Sequence, residues 1–206
     1  MNIIKHLLTG SITSAIIIGN SSSWADDSAF PEPFGLKWGM SNQELIKAGF
    51  NSPRPTGQFE YLTSITAPKP WSKGDQYLAL TYKSKLVKLI VNSKSITGDV
   101  YGTQGKALYD NVKAIMTKKY GQPTDKLEYV GMKLYDDADQ FYQCLDYDGC
   151  GNYITQYDLS GGLLAIQIEG QGRGKGYIKI IYESPEFYVA KDQVNNADKA
   201  DDLEAF

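Results

Sequence analysis

Strand-like segments follow one another in two uninterrupted runs, and this order constrains the fold more than any other feature of the sequence. Each segment is rich in β-branched or aromatic residues and is bounded by residues that favour turns. The first run comprises 59–66, 76–82 and 86–93, and the second comprises 127–135, 140–146, 152–159, 163–169 and 177–183. Consecutive strands with short connections pair in antiparallel fashion, so the sequence predicts an α+β protein with antiparallel sheet. Segment 86–93 is apolar on both faces, which predicts a central position in that sheet.

A short helix is expected to begin after Ser41, in front of the first run of strands. Ser41 and Glu44 have the spacing of a capping box, in which each side chain satisfies a backbone N–H of the other residue. Leu45 and Ile46 are predicted to face inward. Gly49 can adopt the left-handed conformation that ends a helix.

A longer helix is predicted over 103–120, in front of the second run. Its apolar positions recur every three or four residues, at Ala107, Leu108, Val112, Ile115, Met116 and Tyr120. Thr103 is the predicted cap, and Gly121 and Pro123 end the helix.

These patterns indicate a single domain over residues 26–206. Two helix-then-strands units can be drawn inside it, at 34–98 and 102–190, although their sequences do not match. A C-terminal helix is expected to start at Pro185, which suits the first helical position. Its end lies in an acidic tail, which we expect to fray.

The first 25 residues have the layout of a secretory signal peptide. Lys5 and His6 give a positive start, an apolar stretch ends near Ile18, and Ser23 and Ala25 are small residues just before a predicted cleavage site. The apolar stretch is shorter than the roughly 20 residues that span a bilayer, so we expect cleavage rather than an anchor. The product is expected to be periplasmic or secreted, with no membrane insertion.

The histidine content limits the chemistry of this product, because the single histidine of the chain, His6, lies in the predicted signal peptide. A chain without imidazole has no Ser-His-Asp triad, no Cys-His pair and no His-bound metal. We therefore expect no catalytic residue, no metal and no cofactor. Carboxylates near predicted strands, at Glu128, Glu169, Glu183 and Glu186, leave a glycoside-acting role open. The formal net charge of −3 argues against a nucleic-acid partner.

The two cysteines, Cys144 and Cys150, lie six positions apart. Asp148-Gly149 between them is a turn signal flanked by predicted strands, and a hairpin would bring the two Cα atoms within bridging distance. An oxidising compartment lets such a bond persist. The sequence therefore predicts a Cys144–Cys150 disulfide at a hairpin tip. The alternative is a calcium loop that begins at Asp146. Known loops of this kind are flanked by helices, whereas the flanking segments here are predicted strands.

A glycine-rich stretch runs from Gly170 to Gly176 and includes Arg173 and Lys175. It lacks the spacing of a phosphate-binding loop and is followed by a strand rather than a helix. We interpret it as a hairpin connection. The alternative is a loop that contacts a partner through Arg173 and Lys175.

Aromatic residues provide the positive signal for binding, since the chain has 15 tyrosines. Tyr142, Tyr147 and Tyr153 lie around the predicted disulfide hairpin, and we predict that they contact a partner. Trp71, in a loop rich in Pro and Lys, either contacts a partner or covers the core.

The segment that opens the first helix resembles the start of several small exported α+β proteins. The matching residues are Gly39-Met40-Ser41, Glu44-Leu45 and Gly49. They are similar to the start of SmpA/OmlA-like outer-membrane lipoproteins, of β-lactamase-inhibitor-like domains and of periplasmic immunity proteins. The cysteine that carries the lipid in the lipoproteins is absent here. The resemblance implies a binding module rather than an enzyme.

These features favour a non-enzymatic binding protein, of inhibitor or toxin-immunity type, that occludes another protein. Two alternatives stay open: an adaptor in envelope assembly, and a carbohydrate-binding or glycoside-acting protein. The sequence does not indicate the oligomeric state.

Overall fold

The structure is a computed structural model that describes residues 30–205, and the predicted signal peptide lies outside the described residues. The helices are α1 (Asn42–Lys47), α2 (Thr103–Tyr120), α3 (Phe141–Asp146) and α4 (Pro185–Ala205). The strands are β1 (Arg54–Thr56), β2 (Phe59–Ser64), β3 (Gly74–Tyr82), β4 (Lys85–Ser93), β5 (Ile96–Thr97), β6 (Asp125–Tyr129), β7 (Asn152–Leu159), β8 (Gly162–Gly170) and β9 (Lys175–Glu183).

The nine strands of residues 30–205 form one antiparallel sheet in the order β1-β2-β3-β4-β9-β8-β7-β6, with β5 paired to β9. This confirms the predicted α+β class. The central position predicted for segment 86–93 is also confirmed, because β4 pairs with β3 on one side and β9 on the other.

Two meanders build this sheet. Helix α1 precedes strands β1 to β4, and helix α2 precedes strands β6 to β9. The meanders join where β4 pairs with β9, with Val91 opposite Ile180. The meander of the first unit follows α1, and the meander of the second unit follows α2 and is interrupted by α3.

The core lies on the face of the sheet that carries α2. Successive side chains of a strand point to opposite faces, so every second residue of the central strands is buried in this core. These buried residues are Tyr77 and Ala79 on β3, Leu89 and Val91 on β4, Leu164, Ile166 and Ile168 on β8, and Ile178, Ile180 and Tyr182 on β9. These side chains form a continuous apolar surface against which α2 packs.

Helix α2 buries a narrower stripe than predicted. Tyr109, Val112 and Met116 are buried against the sheet at three- and four-residue spacing. Ala107 is exposed, and the side chain of Ile115 is 60% exposed. A helix lying on a sheet buries one strip of its surface, so Ile115 remains at the edge of the contact.

Helix α1 begins with the predicted capping box. The Ser41 N–H donates to Glu44 Oε2 over 2.7 Å, and the Glu44 N–H donates to Ser41 Oγ over 3.3 Å. Gly49 has φ = 98° and ends the helix as predicted. Leu45 is buried, whereas Ile46 is 44% exposed, so the inward orientation predicted for Ile46 is wrong. A helix of six residues offers the core little more than one position.

Segment 140–146, predicted as a strand, is instead helix α3. Its buried residues Phe141, Tyr142 and Cys144 lie on one side of a single helical turn. A short apolar run cannot be assigned to helix or strand by periodicity alone. The side chain of Gln140 accepts a 3.3 Å hydrogen bond from the Asp137 N–H in the 3₁₀ turn before α3, a helix-start signal that sequence reasoning missed.

Two other strand boundaries differ from the prediction. Strand β6 ends at Tyr129 instead of running to residue 135, because Gly131 has φ = 82° and turns the chain out of the sheet. Strand β1 (Arg54–Thr56) lies outside the strand segments predicted from the sequence. Pro55 is tolerated there because β1 is an edge strand.

Helix α4 contacts β4, β8 and β9 and continues to Ala205, although its end was expected to fray. The Phe187 ring lies 6.2 Å from that of Phe59, and Lys88 lies over the Phe187 ring while pairing with Glu183. No helix in the described range combines the length and apolar character of a membrane span.

Candidate functional site

The disulfide joins Cys144 in α3 to Cys150, just before β7. The predicted bond is therefore confirmed, with a Cα–Cα distance of 5.1 Å, but the predicted hairpin is wrong. The bridge closes a helix-to-strand turn, since one helical turn followed by a reversal at Gly149 (φ = 72°) also brings the cysteines together. Both cysteines are fully buried.

Asp99 fixes the position of α3 against the start of α2. Its Oδ2 accepts hydrogen bonds from the N–H groups of Gln104 and Gly105, over 2.9 and 3.0 Å. The hydroxyl of Tyr142 donates to the same oxygen over 2.9 Å. The predicted cap, Thr103, has no side-chain role there, because the carboxylate of Asp99 satisfies the free N–H groups of the helix.

Tyr142 itself is fully buried, which corrects the prediction that it contacts a partner. Burial raises the pKa of its hydroxyl, and the hydrogen bond to the Asp99 carboxylate raises it further. The ring is a support beneath the disulfide rather than part of the surface.

Glycines make room for α3. A Cβ added at Gly170 would overlap the Tyr142 carbonyl oxygen, and one added at Gly176 would overlap the Tyr142 ring. These two glycines face each other at the ends of β8 and β9. Part of the glycine-rich stretch is thus explained by the close approach of a helix to the sheet.

The rest of that stretch is the connection between β8 and β9, as one of the two interpretations expected. Arg173 in this turn is ion-paired with Asp139, in the 3₁₀ turn before α3. Lys175 is exposed at the start of β9, where its carbonyl oxygen accepts the Gln171 N–H over 2.8 Å. Arg173 therefore lies close to the disulfide region and Lys175 follows it in the same hairpin.

Apolar side chains are exposed around the disulfide. We call this set the apolar tip. Its members, with their exposed fractions, are Leu127 (43%), Tyr129 (37%), Val130 (40%), Met132 (66%), Leu134 (51%) and Tyr147 (47%). Several exposed apolar side chains within one stretch of chain mark a candidate interaction surface.

The backbone of the apolar tip is attached to the disulfide. The Met132 N–H donates to the Cys150 carbonyl oxygen over 2.9 Å, and the Gly131 N–H lies 3.1 Å from Cys144 Sγ. The Tyr147 ring contacts that of Tyr135 edge to face, with 5.9 Å between centroids. Residues 130–135 are therefore preorganised, although they belong to no helix or strand.

Carboxylates dominate the surroundings of the apolar tip. The acidic residues between 136 and 148 are Asp136, Asp137, Asp139, Asp146 and Asp148. Among the basic groups near this stretch, Arg173 pairs with Asp139, and Lys133 Nζ donates to the Asp148 carbonyl oxygen over 3.4 Å. With five carboxylates against the one ammonium group of Lys133, the chain from 133 to 148 is negatively charged.

Tyr153 and Trp71, which were also predicted to contact a partner, lie in different parts of the molecule. Tyr153 is half-buried between the rings of Tyr109 and Phe141, at 5.6 and 5.3 Å, and supports α3 from below. Burial raises its pKa. Trp71 packs against the core, and its backbone N–H donates a hydrogen bond to Tyr77 Oη over 2.8 Å. It also lines a separate cleft beside α2.

Sequence reasoning found Tyr147 but missed Val130, Met132 and Leu134. They lie in the segment predicted as a strand, where alternate side chains would have been buried. The glycine at position 131 was the sequence signal that could have predicted an earlier end of that strand, and its φ is positive in the structure.

Comparison with known proteins gave no match, whether with protein-family models, with curated proteins or with solved structures. Among residues 30–205, no three His, Cys, Asp or Glu side chains are placed to hold a metal ion. The functional inference therefore depends on the geometry of the apolar tip.

Proposed function

We propose that this protein is a non-enzymatic binding protein that occludes a partner protein through its apolar tip. The observation that carries the proposal is a segment of exposed apolar side chains, Met132 and Leu134 among them, whose backbone contacts the two cysteines of a buried disulfide. A surface held in its binding conformation loses little entropy on association, which favours affinity.

The composition of the apolar tip supports a protein as the occupant. Tyr and Met are enriched at protein interfaces, and Tyr147 and Met132 are well exposed here. Neighbouring Leu134 adds aliphatic area. A small polar ligand would gain nothing from this surface, whereas an apolar patch on a partner would be removed from water.

The charge near the apolar tip supports an inference about the partner's chemistry. The five aspartates between 136 and 148 would repel an acidic rim and attract a basic one. We infer a partner whose apolar contact surface is surrounded by Lys and Arg. This charge pattern suits an inhibitor or immunity-type protein.

The compartment is part of the same proposal. A disulfide that holds the binding surface requires an oxidising environment, and residues 1–25 have the pattern of an export signal. We therefore place the function in the periplasm or outside the cell.

Site-specific photo-crosslinking tests the proposal. A photoreactive amino acid at Met132 is compared with one at Val189 on α4, which has a similar exposed fraction of 58%. We expect one stoichiometric adduct from position 132 alone, and its loss when Leu134→Asp is added. The captured protein should then bind the purified chain with an affinity that falls as salt rises. Equal adducts at both positions, or no salt dependence, would contradict the proposal.

A further inference from the structure

A cleft of about 570 Å³ lies between the N-terminal segment, the β2–β3 loop, helix α2 and strand β9. Its volume is in the range of small-molecule sites. No member of the apolar tip lines it. The cleft is therefore a second candidate site, independent of the proposed function.

The walls of the cleft are largely apolar. Ile180 and Tyr182 contribute from β9, and Val112 and Met116 from α2. Ile115 of α2 also lines the cleft, and it is 60% exposed. A ligand with an apolar chain would cover it.

The wall opposite α2 is held in place by a constrained backbone. Phe34 has φ = 55° and ψ = 24°, a left-handed conformation that few aromatic residues adopt. Its ring contacts Tyr77 and Tyr182 edge to face, at 5.6 and 6.0 Å, and its carbonyl oxygen accepts the Lys69 N–H over 2.9 Å. The cleft is thus formed before any ligand binds.

The charged residues that line the cleft are predominantly basic. They are Lys37, Lys69 and Lys119, against a single acidic residue, Glu32. Among the side chains that the structure describes, no carboxylate oxygen lies within 4.0 Å of these three ammonium groups. A local excess of positive charge in a chain of net charge −3 points to an anionic ligand.

We propose that the cleft binds a long-chain carboxylate, with its apolar chain along Ile115 and Met116 and its carboxylate among the three lysines. Apolar walls alone would fit a neutral ligand, and lysines alone would fit phosphate. The combination requires a molecule that carries both an apolar chain and a negative charge.

A chain-length series tests the apolar half of this proposal. Binding of decanoate, dodecanoate and tetradecanoate below their micellar concentrations is measured by calorimetry. Each buried methylene should tighten binding about fourfold until the cleft is filled. The methyl ester of dodecanoate should bind more weakly than the acid. Equal affinities along the series, or equal affinities of ester and acid, would overturn the proposal.

Variants of exposed residues test the site itself. Replacing Lys37, Lys69 and Lys119 together by Gln should weaken dodecanoate binding about tenfold. The matched control replaces Lys47, Lys94 and Lys191, which are exposed lysines that do not line the cleft. Ile115→Asp should abolish binding, and Val189→Asp on α4 should leave it unchanged. Losses of equal size in the control variants would refute the assignment.

Discussion

The hydroxyl of Tyr142 donates a 2.9 Å hydrogen bond to the Asp99 carboxylate, which also accepts two backbone N–H groups at the start of α2. One buried oxygen therefore connects the helix that carries Cys144 to the helix that covers the sheet. The position of the apolar tip depends on this contact, because α3 and the disulfide move together.

Tyr142→Phe should lower the free energy of unfolding by about 2 kcal/mol, the range expected for a hydrogen bond to a charged group. The ring would still fill its site, so the loss reports on the hydroxyl alone. Urea unfolding measures it. Tyr147→Phe, on the exposed side of the same turn, is the control and should change stability by less than about 0.5 kcal/mol. Equal effects of the two changes would show that the Asp99 contact does not stabilise the protein.

Gly105→Ala should be destabilising although alanine favours helix. A Cβ at this position would overlap the Tyr142 hydroxyl, whereas the nearest ring carbon is 3.1 Å away. Combining it with Tyr142→Phe removes the overlapping atom. The double variant should therefore be more stable than the sum of the single changes predicts, by about 1 kcal/mol. A double-mutant cycle in urea checks this, and simple additivity would contradict it.

Stability should fall as the pH rises above about 10. Burial raises the pKa values of Tyr109, Tyr142 and Tyr182 above their ordinary value, so in the folded state all three stay protonated when the unfolded chain has begun to ionise. The unfolded chain then binds fewer protons than the folded one, and stability decreases with pH. The three together should account for about 4 kcal/mol by pH 11.

Unfolding by urea at pH 8, 10 and 11 measures this dependence. Tyr142→Phe should make the decrease between pH 8 and pH 11 smaller by about 1.4 kcal/mol, the share of one tyrosine whose pKa is raised in the folded state, since that group no longer titrates. A decrease that the variant leaves unchanged would show that Tyr142 does not contribute to it.

The disulfide should matter more for binding than for stability. Replacing both Cys144 and Cys150 by Ala should cost about 2 kcal/mol, because the closed loop is short. Gly131 would lose Cys144 Sγ as a partner, and the backbone carbonyl of residue 150 that accepts the Met132 N–H would no longer be fixed by the bridge, so the affinity for the crosslinked partner should drop more than tenfold. Affinity measured at a temperature where the variant is fully folded separates the two effects. Unchanged affinity would exclude a preorganised apolar tip.

Local patterns were sufficient for part of this fold. The capping box at Ser41 and Glu44 and the two apolar faces of β4 are decided by neighbours in sequence, and both the cap and the central position of β4 are confirmed. The disulfide was also predicted, from the turn signal at Asp148-Gly149 and the expected export, although the hairpin assumed for it is wrong.

The support of the candidate site depends on distant partners. Asp99 lies 43 positions from Tyr142, and Tyr109 lies 46 positions from Thr155, whose hydroxyl it contacts. No local pattern indicates either pair. The same limit explains α3, since the glycines that admit Phe141 and Tyr142 lie on other elements, before and within α2 and at the ends of β8 and β9.

Arg173 provides a test of whether a residue beside the apolar tip supports the structure or contacts the partner. Its guanidinium pairs with Asp139, but the side chains are 62% and 31% exposed, so the pair contributes less than about 1 kcal/mol to folding. Arg173→Gln should therefore leave urea unfolding nearly unchanged while freeing the Asp139 carboxylate beside the apolar tip. Because the proposed partner has a basic rim, the additional free carboxylate should raise the association rate about two- to threefold at low salt, and the increase should vanish at high salt. Lys175→Gln makes the same charge change in the same hairpin without releasing a paired carboxylate, and it should have the smaller effect. A slower association rate for Arg173→Gln would instead mean that the guanidinium itself contacts the partner.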